Sequence, residues 1–357
     1  MGGWDEPAAR AAREAVPGVA ALGTAGHVLD FDDTYLPGLA HLSAPTAPAA
    51  LVLGAELGRS TGEVLQAYAA GFEAMGAVAA AAHPALYERG WHPTAVCGTV
   101  GAAVTAATLL GAEPEPAAAL ALLRAGGLRA AFGTDGKSLQ VGLAAAAGVE
   151  AARLAAAGAR VPFERAAAGF EAAFGARPAG PTEWAGRAID ENWIKPWPCC
   201  LQSHGAIEAA DRARSDGLSN DGPVAVAVHP VSLQAASYDE VSDGLEAKFS
   251  IPYLTAFTLL HGPPSLGDFR SVNEAAQRLA RERVEVRADP GLLESEAVLT
   301  AEGSEVRVEA ALGSPGRPLG PEAHAAKLRA LAGDRLDAAL DDPDRPAAEL
   351  LAAAGLA

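Results

Sequence analysis

HVLDFDDTYLPGLAH, residues 27–41, sets three carboxylates, two imidazoles and two hydroxyls between alanine-rich apolar segments. Burying that much charge is expensive unless something uses it. Read as a helix over residues 21–35, the 3.6-residue period stacks His27, Asp30 and Thr34 on one face with Asp33 beside them, and sends Asp32 to nearly the opposite side. The sequence Tyr35-Leu36-Pro37-Gly38 ends such a helix. The chain then turns back and brings His41 toward Asp30 and Thr34. The plain alternative for each residue taken singly is a solvated helix end. His27 and Asp30 could also be two metal ligands on one face, but no third and fourth ligand lie at matching spacing, so no metal is expected.

Around this stretch the composition is half hydrophobic, rich in alanine and only 5% aromatic, which favours close-packed helices over a β-sandwich. A length of 357 residues allows two domains and a large core. The net charge of −17 argues against nucleic acid as a partner. It does not weigh against an anionic small molecule, which feels the local field of its pocket. Cys97, Cys199 and Cys200 form no paired framework and no CxxC motif, so a cytoplasmic location is expected and the adjacent pair reads as packing. The first twenty residues carry Asp5, Glu6, Arg10, Arg13 and Glu14 instead of a basic start and an apolar core, so no signal peptide is expected. No membrane is expected either, because the apolar runs are interrupted by Gly, Pro or charge before they reach spanning length. Of 27 basic residues only Lys137, Lys195, Lys248 and Lys327 are lysines. A chain so biased toward arginine keeps lysine where a compact, titratable ammonium is needed.

From residue 6 to about 180 the pattern predicts helix after helix. Ser60-Thr61-Gly62-Glu63 forms a capping box that opens a helix through residue 82. Residues 82–93 form a loop holding His83, Tyr87, Arg89, Trp91 and His92. Residues 94–110 form a buried helix of small residues, and residues 115–130 another. Gly133-Thr134-Asp135-Gly136-Lys137-Ser138 invites comparison with a phosphate loop, but position 131 is alanine where that motif needs glycine, and no strand precedes it. Lys137 still lies on a glycine-rich turn entering a helix over 139–157, a place suited to an anion. Residues 192–200 are extended around their prolines. There Lys195, between two tryptophans, is either a cation stacked on aromatic rings or a desolvated amine of lowered pKa. A helix over 201–214, a strand over 223–233, helices over 251–260 and 272–281, and a hairpin over 296–312 turning at Glu302-Gly303-Ser304 follow. Helices return over 322–332 and about 335–354. The fold class is therefore mainly α with an α+β second domain: a helical domain of residues 1–193, completed by 318–357, and an α+β domain of residues 194–317.

Five stretches together resemble the MmgE/PrpD family: HVLDFDDT (27–34), GWHPTAVCGTVGAA (90–103), GTDGKSLQVGLAAAAGVEAARLAAAG (133–158), NWIKPWPCCLQSHGAIEAA (192–210) and EAKFSIPY (246–253). The resemblance implies a large helical domain built from both chain ends and a smaller α+β lid, in a homodimer. It also implies a cofactor-free site between domain and lid, with Lys195 near the hinge. Carried over residue by residue, the active-site positions are Asp30, Thr34, His41, His92, Lys137 and Lys195.

Family members are alike in moving a proton on a carbon next to a carboxylate, so the expected partner is a small di- or tricarboxylic acid. That carbon is weakly acidic, which demands donors for the enolate-like charge and a base of suitable pKa. The expectation is His41 as acid or base oriented by Asp30, Lys137 and Lys195 on carboxylates with one of them able to exchange the proton, and Thr34 and His92 positioning the substrate. One carbanion can lose a β-hydroxyl, lose carbon dioxide or be reprotonated on its other face, so dehydratase, decarboxylase and epimerase all follow from it. The likeness of DFDDTYLPGLAH and WIKPWPCC to the broad bacterial branch of the family implies lyase or isomerase chemistry of the 2-methylcitrate dehydratase kind, with a decarboxylase or epimerase as the alternative. A non-catalytic ligand-binding paralogue is the alternative of a different kind. All of this requires that Lys137 and Lys195 converge near His41.

Overall fold

The computed structural model of the protein describes residues 2–217, 222–333 and 342–356. Its helical part is organised around Pro93–Leu110, which packs against Thr61–Ala82, Asp135–Ala156, Ser43–Glu56 and Pro114–Leu122. By length and composition, Thr61–Ala82, Pro93–Leu110 and Asp135–Ala156 could each cross a membrane, yet Pro93–Leu110 has 89% of its most apolar window buried against its neighbours. Small residues let these helices approach closely. A Cβ on Gly142 would lie 2.1 Å from the Ala20 carbonyl oxygen, so this glycine sets the helix Asp135–Ala156 directly against Val19–His27. That contact later brings Lys137 to His27. The Ser60 capping box forms as the sequence predicts, each partner receiving the other's backbone N–H.

The helix expected over residues 21–35 stops at His27. Residues 28–32 turn through Asp30 at φ +54, and the chain enters β1 (Asp33–Tyr35). β1 pairs antiparallel with β2 (Asn192–Ile194), Thr34 opposite Trp193. A short turn at Leu36–Gly38 and Leu39 at φ +46 reverse the chain, so that Tyr35 and Ala40 bond to each other across the bend. The helix expected over 115–130 also ends early, at Leu122, ahead of Gly126-Gly127.

The second layer is a four-stranded sheet in the order β4-β3-β5-β6. β3 (Val224–Val228) is shorter than the strand expected over 223–233, because Pro230 starts a helix, Pro230–Ala235. β5 (Ala297–Ala301) and β6 (Ser304–Val308) form the expected hairpin, turning through Glu302 and Gly303, both at positive φ. β4 (Val284–Ala288) runs parallel to β3. It escaped the sequence reading because it follows the helix Glu274–Arg283 without a breaker and is largely exposed. Ile251–His261 and His204–Ser215 cover the sheet. Of the helix expected from about 335, the first part lies outside the described residues. Within them it runs Ala347–Ala353 and packs on Ser43–Glu56, Ala347 meeting Ala50 and Val64.

Candidate active site

Asp30 is the centre of the site. Its left-handed backbone is an unfavourable conformation for a non-glycine residue, and Lys195 holds it there by donating both to its carbonyl (3.2 Å) and to its carboxylate (3.1 Å). Lys137, in the first turn of Asp135–Ala156, donates to the same carboxylate oxygen (3.0 Å) and to His27 Nε2 (2.8 Å). Residues more than a hundred positions apart in sequence thus meet on one buried acid. Burial alone would raise Asp30, but the Lys137 and Lys195 ammoniums outweigh it and hold the carboxyl well below its ordinary range.

Asp32 was expected on the far side of a helix. Because that helix ends at His27, Asp32 instead points inward. His27 Nδ1–H donates to Asp32 Oδ2 (2.6 Å), and Asp32 Oδ1 lies 3.6 Å from Lys195 Nζ and 3.7 Å from His41 Nδ1. Against the effect of burial, His41, His27 and Lys195 depress its pKa. Asp33 differs: burial and then Asp32 push it up to about 6, and its oxygens accept the Ser43 N–H at the start of Ser43–Glu56. Lys195 is fully buried and stacks on neither tryptophan. Burial would lower its pKa, but Asp30 and Asp32 raise it above the ordinary lysine value, which corrects the expectation of a lowered one.

The tautomers of the histidines follow from their partners. His41 Nδ1 is 2.6 Å from the Asp33 carbonyl, which can only accept, so Nδ1 carries the proton and Nε2 has the lone pair. Thr34 Oγ1 is 3.2 Å from the same Nδ1. His92 is opposite. Gln140 accepts the Leu128 N–H with its oxygen (2.9 Å) and donates to the Leu128 carbonyl with its nitrogen (3.1 Å), which fixes its amide orientation. Gln140 Nε2 then donates to His92 Nδ1 (2.6 Å), so His92 carries its proton on Nε2, an atom that is buried without a partner. His27 accepts from Lys137 and donates to Asp32. Burial, and for His27 and His92 then the Lys137 charge, keeps all three rings below their ordinary pKa and neutral near pH 7.

Asp30, Thr34, His41, His92 and Lys137 line one narrow cavity together with Tyr87, Phe132, Cys200, Gln202 and Phe249. Lys195 stands one layer behind Asp30. Cys200, expected to be packing only, reaches this wall, its thiol pushed up to about 11 by burial and Asp30. The cavity holds about 40 Å³, less than a tricarboxylic acid needs, so entry requires its two walls to part. Contacts between the walls are Tyr238 Oη to the Phe132 carbonyl (3.0 Å), Arg129 to Gln234 (2.8 Å) and His83 to Glu294 (3.1 Å). A larger groove of about 630 Å³ beside Phe163 and Pro181 is open, and its Arg177 pairs with Glu164. Among the described residues His27, Asp32 and His41 place ligand-type atoms within 4.8 Å of one another. Their nitrogens at that point are already committed to hydrogen bonds, and two ammoniums stand beside them.

Sequence reasoning gave no site role to Asp32, to His27 as the acceptor for Lys137, to Gln140, Tyr87 or Gln202. Asp32 carried a readable signal as one of three acids in four residues, and Tyr87 as a member of the polar and aromatic cluster at 82–93.

Residues 7–180 match the family model described as MmgE/PrpD N-terminal domain, and residues 197–351 that described as MmgE/PrpD C-terminal domain. Lys195 falls between the two matches. The chain is 28% identical to a protein named cis-aconitate decarboxylase from Homo sapiens over 305 residues, 78% of this chain and 63% of that protein. It is 27% identical to the Mus musculus protein of the same name over 294 residues, 75% of this chain and 60% of that protein. The chain therefore aligns with less than two thirds of the length of either relative.

Proposed function

The chain belongs to the MmgE/PrpD family, and from that premise we propose that it is a lyase which moves a proton on the carbon next to a carboxylate of a small di- or tricarboxylic acid. The observation that carries this reading is the opposite protonation of two neutral histidines on one cavity wall. His41 offers a lone pair at Nε2, and His92 offers a hydrogen at Nε2.

In this reading His41 Nε2 takes the proton from the α-carbon. The electron pair moves onto the adjoining carboxylate, and the extra charge on its oxygens is met by His92 Nε2–H and by the Lys137 N–H that Asp30 and His27 leave free. Donors already aimed at developing charge are worth roughly 3–4 kcal/mol each in barrier height. The imidazolium formed at His41 is stabilised by Asp32, whose Oδ1 has no hydrogen-bond partner before the proton arrives. The enolate then expels a β-hydroxyl, taking the proton back from His41 to leave as water, or a carbanion of the same kind forms by loss of carbon dioxide and takes a proton from the Lys137 ammonium, which water restores, because neutral His41 has none on Nε2 to give. The name of the two relatives favours the second outcome for cis-aconitate itself. Lys195 acts as a positioning residue, since its N–H groups are directed at Asp30 and Asp32.

The test is proton exchange in heavy water, followed by NMR, on a panel of di- and tricarboxylic acids that includes cis-aconitate. The wild type should exchange or convert at least one of them. His41→Ala should lower that rate by at least about 100-fold while circular dichroism and melting temperature stay unchanged. A variant with nearly full rate removes His41 from the role, and a wild type inert on the whole panel favours the ligand-binding paralogue.

A further inference from the structure

Two buried donors on this cavity are used by none of the steps above. Gln202, on the turn Leu201–Ser203, comes from the α+β part. Ser232, on the helix Pro230–Ala235, donates its hydroxyl to Gln202 Oε1 at 2.9 Å. The alternative acceptor for that hydroxyl, the Glu294 carbonyl, is 3.5 Å away, long for an O–H donor. The Ser232 proton therefore goes to Gln202 and fixes the amide with Nε2 turned away from Ser232. Nε2 is buried and has no partner. Tyr87, from the helical part, lines the same cavity, and its hydroxyl is also buried without a partner. Each such donor costs about 1–3 kcal/mol if it stays unpaired.

At this end of the cavity the Arg129 guanidinium stacks 4.6 Å over the Tyr87 ring, and the Glu294 carboxylate that pairs with His83 acts on the same hydroxyl. The same Arg129 reaches Gln234, next to the lining residue Ala235. Amide and phenol hydrogens from opposite walls, under a cation, suit the two oxygens of a carboxylate better than a single carbonyl.

We propose that Gln202, oriented by Ser232 and paired across the cavity with Tyr87, is the specificity-determining residue that holds a second carboxylate of the substrate. This rests on the reading above for the first carboxylate, placed at Lys137 and His92. It makes the enzyme selective for diacids over monoacids of the same chain length.

Binding measured without turnover separates this proposal from the proton-transfer reading. Calorimetric titration of the full chain compares succinate with butyrate, which has the same carbon skeleton and lacks the second carboxylate. The wild type should bind succinate about 10- to 100-fold more tightly, the worth of hydrogen bonds to a charged group. Gln202→Leu and the near-isosteric Tyr87→Phe should each reduce that preference to within a few-fold and leave butyrate affinity unchanged. Tyr87→Phe keeps the test open if Gln202→Leu fails to fold. A wild type that binds succinate no more tightly than butyrate, including one that binds neither, overturns the proposal, as do variants that retain the full preference. If succinate preference is present and lost in the variants while no acid exchanges protons in heavy water, the subsite stands and the proton-transfer reading falls.

Discussion

The four lysines gather around residues 29–33 and the strand end at Lys195, and they divide into two pairs with opposite surroundings. Lys137 and Lys195 point at carboxylates, and Asp30 and Asp32 raise Lys195 in spite of its burial. Lys248 and Lys327 point at backbone carbonyls, those of Leu29 (2.7 Å) and Lys195 (2.8 Å). Burial, with no carboxylate in direct contact, lowers both to about 8. The same side chain thus serves twice: one pair supplies the charge that makes two buried acids tolerable, and the other ties down the backbone on either side of that ion cluster, beside Asp30 at Leu29 and at Lys195 itself. Which role a lysine takes depends on whether an anion or a neutral dipole receives its protons.

Removing Lys195 tests this division hardest. Lys195→Met leaves Asp30 with one cation and Asp32 with only histidines, and stranding a buried charge costs on the order of 3–5 kcal/mol. Urea unfolding near pH 7 should show that loss as a lower midpoint with an unchanged slope. The loss should shrink as the pH falls, because the depressed carboxyls supply stability that is present above their unfolded pKa and disappears as acid protonates them. A cost below about 1 kcal/mol would mean that Lys137 alone satisfies both acids.

Lys137→Met should weaken the fold less, since Lys195 still faces Asp30. It should weaken catalysis by about 100- to 1000-fold in kcat/KM, the usual worth of one donor to a developing oxyanion. An unchanged kcat/KM on an acid that the wild type converts would place Lys137 with the structural pair.

Much of this arrangement was legible because its residues cluster. Asp30, Thr34 and His41 lie within twelve positions, and Lys137 and Lys195 stand out in an arginine-biased chain. What was hidden has particular causes. Residues 28–32 contain neither Gly nor Pro, so nothing in them ends a helix; Asp30 adopts the left-handed conformation because Lys195, 165 positions away, bonds it there. The error hid Asp32, since a helix and a turn send successive side chains in different directions. The tautomer of His92 depends on Gln140, and the orientation of Gln202 depends on Ser232. Neither pair is neighbouring in sequence, and neither residue type marks a site. Lys248 and Lys327 stood out only as lysines in an arginine-biased chain, and their role stayed hidden because a carbonyl acceptor belongs to every residue and leaves no trace in the sequence.

The mildest effect belongs to that second pair, and its pH dependence identifies it. Below about pH 8 Lys248 and Lys327 are charged in both folded and unfolded chains. Between about 8 and the ordinary lysine value of 10.5, the folded protein has lost protons that the unfolded chain still holds. Each such group then adds to stability with rising pH, by about 1 kcal/mol per pH unit. Thiols and tyrosines held above their ordinary pKa by burial, Cys97, Cys199, Cys200 and Tyr35 among them, act in the opposite direction as the unfolded groups ionise from about pH 8.5 upward. The lysine contribution across pH 8–9.5 is therefore read as a difference in slope between wild type and variant. Lys248→Met and Lys327→Met should each change stability at pH 7.5 by no more than about 1–2 kcal/mol, because a lost hydrogen bond to a carbonyl is offset by removal of a desolvated ammonium. Each should also make the slope of stability against pH across pH 8–9.5, measured by urea unfolding, more negative than that of the wild type by about 1 kcal/mol per pH unit. A slope that is the same in wild type and both variants would show that their ammoniums are as well solvated in the fold as out of it, and the contrast between the two pairs would vanish.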